Sequence, residues 1–183
     1  MAKQAGDART RLQNAALRLF RERGYERTTA AAIAAQAGVT ERTFFRHFAD
    51  KREVLFAGEA GLRDALLAAA DAASGDLDAI DVLFHSFRSV MPLLEGNRDF
   101  AGPRQELIAA TPPLHERELA KLDLLAVALC GALRSRGVPD LRAALAAKAA
   151  IAAFALAVTR WLGDADGDIA AYFDRAEAEL KSF

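Results

Sequence analysis

Twice between residues 28 and 48 the apolar side chains recur at helical spacing, and the tripeptide Gly38-Val39-Thr40 interrupts them. The first stretch opens on Thr28-Thr29, a pair suited to an N-cap, and turns Ile33, Ala34 and Ala37 to one face. Gly38 supplies the positive φ of a tight turn, Val39 plugs the corner, and Thr40 caps the next stretch, residues 41–48. There Phe44 and Phe48 lie four apart and face inward. Two short helices joined by a glycine-containing turn of three or four residues make a helix-turn-helix.

Helical spacing continues on both sides. Residues 7–23 present Leu12, Ala15, Ala16, Leu19 and Phe20 on one face, and Gly24 ends the helix. Phe20, Val39, Phe44 and Phe48 are assigned to one core. Beyond the motif, Ala49-Asp50 caps a long helix expected over residues 51–73. Further helices are expected over 77–94, 98–110 with Pro103 inside, from the Thr111-Pro112-Pro113 stop to 136, over 141–162 and over 169–181. No stretch alternates with period 2, β-branched residues are sparse, and alanine, the best helix former, is abundant. The fold class is therefore all-α, with about nine helices, three small ones first.

The net charge of −1 hides an uneven spread. Residues 1–56 carry eleven Lys/Arg against six Asp/Glu, and residues 57–183 carry thirteen against nineteen. A basic head on an acidic body is the asymmetry expected where one end meets a polyanion. Nothing points to catalysis. His47, His85 and His115 are dispersed, and Cys-x-x-Cys, phosphate-loop and nucleophile-elbow motifs are absent from the sequence. No catalytic residue, metal or cofactor is expected, and the chain does not read as an enzyme. Asp164, Asp166 and Asp168 alternate but lack the later glutamate of a calcium loop, so they read as a solvated, helix-capping turn. The single cysteine, Cys130, reads as a small buried hydrophobe in a reducing compartment. The first seven residues hold no apolar leader, and the longest apolar run, residues 149–158, is short of the ~20 needed to span a bilayer. A cytoplasmic protein with no membrane partner is expected.

The segment Ala15-Ala16-Leu17-Arg18-Leu19-Phe20, then Gly24-Tyr25, Thr28-Thr29, Ile33-Ala34, Ala37-Gly38-Val39, Thr43-Phe44-Phe45-Arg46-His47-Phe48 and Lys51 resembles the N-terminal signature of the TetR family of regulators. The match runs over roughly residues 8–56; the rest is similar only in length and helix count. The resemblance implies a helix-turn-helix DNA-binding domain over residues 1–50 and a helical effector-binding and dimerisation domain over 51–183. It implies a homodimer that binds a double-stranded palindromic operator and is released by a small-molecule effector, most simply as a repressor. Two other readings stay open: a DNA-binding dimer without a ligand, and a small-molecule-binding protein with a vestigial helix-turn-helix.

The second helix of such a motif lies in the major groove with its N-terminal residues toward base edges, here Thr40, Glu41, Arg42 and Thr43. The guanidinium fork of Arg42 can pair with guanine O6 and N7, or it meets a phosphate or Glu41. Thr43 contacts a base or phosphate, or is simply exposed. Phe45 stands where the family usually has tyrosine, so a phosphate hydrogen bond is lost while a thymine methyl remains within its chemistry. By the resemblance, His47 and Lys51 meet the DNA backbone, with Lys51 at the start of the linking helix. Thr28 or Thr29 either bonds a phosphate or caps its helix.

In the body, Phe84, Phe87, Arg88, Met91, Phe100, Arg104, Leu107, Phe154 and Trp161 are candidates to line an effector pocket, or ordinary core and surface charge. Arg88 and Arg104 would suit an acidic ligand. Leu141, Leu145, Ala149, Ala152, Ala153 and Leu156 offer one dimer face, and Ile169, Tyr172, Phe173 and Ala176 another, to pair as a four-helix interface.

Overall fold

The computed structural model describes residues 2–182, with side chains described from Ala8 onward. Among the described residues the fold is all-α, with ten α-helices and one 3₁₀ turn. In chain order these are α1 (Ala2–Arg23), α2 (Ala30–Gln36), α3 (Glu41–His47), the 3₁₀ turn (Glu53–Phe56), α4 (Glu59–Ala72), α5 (Ala79–Ser89), α6 (Met91–Glu95), α7 (Arg98–Ala110), α8 (Pro112–Ser135), α9 (Asp140–Leu162) and α10 (Ile169–Lys181). The chain divides into two compact units. Met1–Glu59 with Pro103–Arg117 form one, and Ala60–Gly102 with Glu118–Phe183 form the other.

In the first unit α1 packs on α2 and on the 3₁₀ turn, and α2 packs on α3. Leu12, Leu19, Phe20, Ile33, Phe44 and Leu55 close the core between them. The turn of the motif is a Schellman closure. Gly38 sits at φ +68°, its N–H reaches the Ala35 carbonyl at 3.1 Å, and the Val39 N–H reaches Ala34 at 3.0 Å. Val39 is half-buried, covering the corner from outside rather than filling the core.

Two expected helices are interrupted. The stretch from residue 51 does not enter a continuous helix, and α4 begins only at Glu59. Asp50 accepts the Arg52 and Glu53 amides at 2.7 and 3.1 Å, which closes a tight turn. Val54, Leu55 and Phe56 are then all buried in the 3₁₀ turn, which packs on α1. The expected helix over 77–94 splits at Val90 into α5 and α6, with Pro92 in the first turn of α6, where its missing N–H costs nothing. This split makes the count ten rather than nine.

In the second unit α9 packs on α5 and α10, and α5 packs on α10. Ala143, Ala147 and Ala150 on α9 are fully buried, and their small side chains let the neighbouring helices close around larger ones. Those larger side chains are Phe84, Phe87, Phe154, Trp161 and Phe173. By length and composition α9 could cross a membrane, yet eight of its side chains lie in this core. Cys130 is half-buried at the core's edge rather than enclosed.

Candidate nucleic-acid interface

Local hydrogen bonds set the leading edge of α3. The Thr40 hydroxyl accepts the Thr43 amide at 3.2 Å and pairs with the Thr43 hydroxyl at 3.0 Å. Phe44 and Phe48 anchor the helix inward, with ring centroids 5.5 Å apart. The opposite face leaves Thr40, Glu41, Arg42, Phe45 and Arg46 exposed, with Thr43 half-buried between them. Arg42 and Arg46 stand one helical turn apart and have no hydrogen-bond or ion-pair partner among the described residues. Two unengaged guanidinium groups on one exposed face can meet phosphates and base edges. Sequence reasoning passed over Arg46; its spacing of four from Arg42 was the available signal.

His47 is half-buried beside Phe48, and its Nε2 is enclosed without a partner. Burial, helped by Arg46 and Arg9, holds its pKa below the ordinary 6.5. Its imidazole is therefore neutral near pH 7.

The structure corrects two candidates for DNA contact. Thr28 is buried, and its hydroxyl donates to the Gly24 carbonyl at 2.9 Å and the Leu19 carbonyl at 3.3 Å. It braces the turn after α1; Thr29 is the residue that caps α2, accepting the Ala32 amide at 3.1 Å. Lys51 does not start a helix, and its ammonium points into the protein. It donates to the carbonyls of Tyr25 at 2.8 Å, Thr28 at 3.2 Å and Glu26 at 3.5 Å, and lies 4.1 Å from the Tyr25 ring centroid. Its three donors are thereby used.

Other cations grip the 3₁₀ turn. Arg9 donates to the Ala57 carbonyl at 2.9 Å, and Arg117 pairs with Glu53 at 2.5 Å. Arg104, a candidate effector contact, donates to the Leu55 carbonyl at 2.6 Å and lies over the Phe56 ring. Arg104 and Leu107 are grouped with the first unit and the other candidate pocket residues with the second.

Several of those other residues pack directly on one another. Phe87 meets Phe84, Phe154 and Phe173 at centroid distances of 5.4, 4.8 and 6.3 Å, and Trp161 is 2 % exposed. Met91 and Phe100 are half-buried. Arg88 is already paired, with Asp174 at 2.6 Å and Glu177 at 2.5 Å. Burial pushes the Glu177 carboxyl up, but Lys181 and Arg88 outweigh it and hold the group below its usual 4.5. The second unit does have an open groove of about 560 Å³, lined by Ile80, Leu141, Arg142, Leu145 and Leu180 among others.

The candidate dimer faces divide. On α9, Leu141, Leu145 and Leu156 are 58–71 % exposed, Ala152 is exposed, and Ala149 and Ala153 are half-buried. On α10, Ile169 and Phe173 are buried in the unit's own core, Tyr172 bonds Asp164, and Ala176 is half-buried. The α10 face is therefore spent within the chain. On α8, Leu119, Leu124 and Val127 are also exposed, and a Lys148–Asp123 ion pair at 2.6 Å ties α8 to α9.

A capped helix-turn-helix with a basic outward face defines a DNA-binding protein of the helix-turn-helix class. Residues 12–57 match the family model of bacterial regulatory proteins, tetR family. It is 39 % identical over 83 residues to the HTH-type transcriptional regulator TcmR of Streptomyces glaucescens. That match covers 45 % of this chain and 37 % of TcmR, so the chain spans little more than a third of the curated relative's length. The fold resembles Thermus thermophilus FadR, a TetR-family repressor solved with lauroyl-CoA (TM-score 0.57, 29 % identity, 94 % of this chain, 93 % of that one). It also resembles FadR from Bacillus halodurans, a fatty acid degradation regulator (TM-score 0.65, 20 % identity, 94 % and 93 %).

Proposed function

We propose that the chain is a cytoplasmic transcriptional repressor that binds a palindromic operator as a homodimer and is released by a small molecule. One observation carries the DNA-binding part: the exposed row Thr40, Arg42, Phe45 and Arg46 on a helix whose other face is locked into the core. Arg42, in the first turn of α3, is the base reader, and Arg46 is a phosphate contact. The head is residues 1–50 and the body 51–183. Two copies join through α8 and α9 by Leu119, Leu124, Val127, Leu141, Leu145 and Leu156, leaving two heads about 34–36 Å apart, or a multiple of it, on successive major grooves. The apolar groove beside Leu141 and Leu145 belongs to the same face.

An effector releases DNA only if it binds one body conformation better than the other. The packed phenylalanine cluster of α5, α9 and α10 must part to admit it, so the ligand is mostly apolar. Lauroyl-CoA, bound by the Thermus relative, is the first compound to try. The closed core also favours a second reading, a DNA-binding dimer that needs no ligand. Fluorescence anisotropy with duplexes flanking the chain's own gene tests the DNA claim, and acyl-CoA and aromatic compounds added to the complex separate the two readings. Arg42→Ala should relax sequence choice at one operator position, at a cost of about 1–3 kcal/mol there. Unchanged affinity and unchanged sequence choice in Arg42→Ala would remove α3 as the reading element.

A further inference from the structure

Large apolar side chains are seldom left on the outside of the first unit. Among its described residues Phe45 is the one large hydrophobic that stands exposed, at 52 %. Single exposed hydrophobics are ordinary on protein surfaces, so exposure alone says little. Its position says more. Phe45 lies on the same outward face as Thr40, Arg42 and Arg46. Its ring stands edge-on to Phe44, centroids 5.3 Å apart at 84°, and Phe44 is fully buried. The ring is therefore backed by the core and is a firm apolar surface rather than a loose side chain. It carries no donor for a phosphate oxygen.

The apolar feature on the major-groove edge of duplex DNA is the 5-methyl group of thymine. We propose that Phe45 is a specificity-determining residue that reads a thymine 5-methyl in each half-site. The proposal rests on the reading of α3 as the recognition helix and goes beyond it in naming the base. Phe45 follows Arg42 by three residues, about 4.5 Å along the helix axis, and base pairs repeat every 3.4 Å or so. The thymine thus falls within one or two base pairs of the guanine read by Arg42. Burying one methyl against the ring corresponds to about a fourfold gain in affinity per half-site.

The test uses the whole chain and duplexes selected by it from a random 30-base-pair pool. Each thymine of the selected duplex is replaced in turn by deoxyuridine, which removes only the methyl. One thymine per half-site should show the fourfold loss. Phe45→Ser, at an exposed position where folding is retained, should bind the thymine and uracil duplexes equally; Phe45→Leu should keep part of the preference. The proposal is overturned if no uracil substitution weakens the wild type, or if the uracil penalty persists undiminished in Phe45→Ser. It is overturned too if Phe45→Ser instead abolishes a preference for single strands, since the ring then stacks on bases. Failure of the underlying reading looks different: the wild type then selects no duplex, and Arg42→Ala changes nothing. That result removes the role of Phe45 along with that of α3.

Discussion

The two compact units both bury most of their aromatic rings, and they differ at one of them. In the second, Phe84, Phe87, Phe154 and Phe173 turn inward and meet around Phe87, with Trp161 buried in the same core. In the first, neighbouring phenylalanines on one short helix part company: Phe44 enters the core and Phe45 stays outside. The cations of the first unit part in the same way. Lys51, Arg104 and Arg117 end on carbonyls or a carboxylate of their own chain, whereas Arg42 and Arg46 end in solvent. The difference teaches that in this chain residue type does not mark a site. What marks it is a side chain whose bonding capacity the fold leaves unspent.

The comparison breaks most readily in the aromatic core. Phe87→Ala should cost about 3–5 kcal/mol in denaturant unfolding, while Phe45→Ala should cost less than about 0.5. A loss below about 1 kcal/mol at Phe87 would mean a loose cluster and would put an effector cavity there. Next comes the leucine face. Leu145→Glu should raise the dimer dissociation constant about 100-fold in sedimentation equilibrium, because the interface would bury an unpaired carboxylate; an unchanged constant would remove α9 from the interface.

Lys51 and Arg46 sharpen the division between engaged and free cations. Lys51→Met should lower the stability of the protein by about 1–2 kcal/mol, since three carbonyls lose a charged donor. DNA affinity would then fall with its salt dependence unaltered. Arg46→Gln should leave stability alone and reduce the slope of log affinity against log salt by about 0.9 per head. A reversed pattern would return Lys51 to the DNA.

The smallest effect is at His47. Its pKa is lowered on folding, so the unfolded chain binds more protons there than the folded one. The stability tied to neutral His47 is complete above the unfolded pKa of about 6.5. It is lost as pH falls from there through the lowered folded value. His47→Gln should flatten that part of the pH–stability curve, and an equally steep curve in the variant would assign the slope to other groups.

How much of this was legible beforehand depends on the reach of each interaction. The Thr29 and Thr40 caps, the Gly38 turn and the inward pair Phe44 and Phe48 all work within a few residues, so their spacing displays them. The all-α class followed from the same short-range periodicity. The break before α4 was hidden, because it depends on burying Val54, Leu55 and Phe56 together against α1. The place of Arg46 one turn after Arg42 is legible in the spacing alone.

By itself, then, the sequence determined the helix-turn-helix and the face that α3 presents, since backbone hydrogen bonds and caps are local. Only the tertiary structure decided which charges and apolar faces remain for a partner. Lys51 finds its carbonyl twenty-six residues away, Arg104 forty-nine, and Arg88 its carboxylates eighty-six and eighty-nine. Phe173 is likewise turned inward by rings on α5 and α9. Such partners are chosen by three-dimensional packing, which places distant residues side by side without leaving any regular interval along the chain.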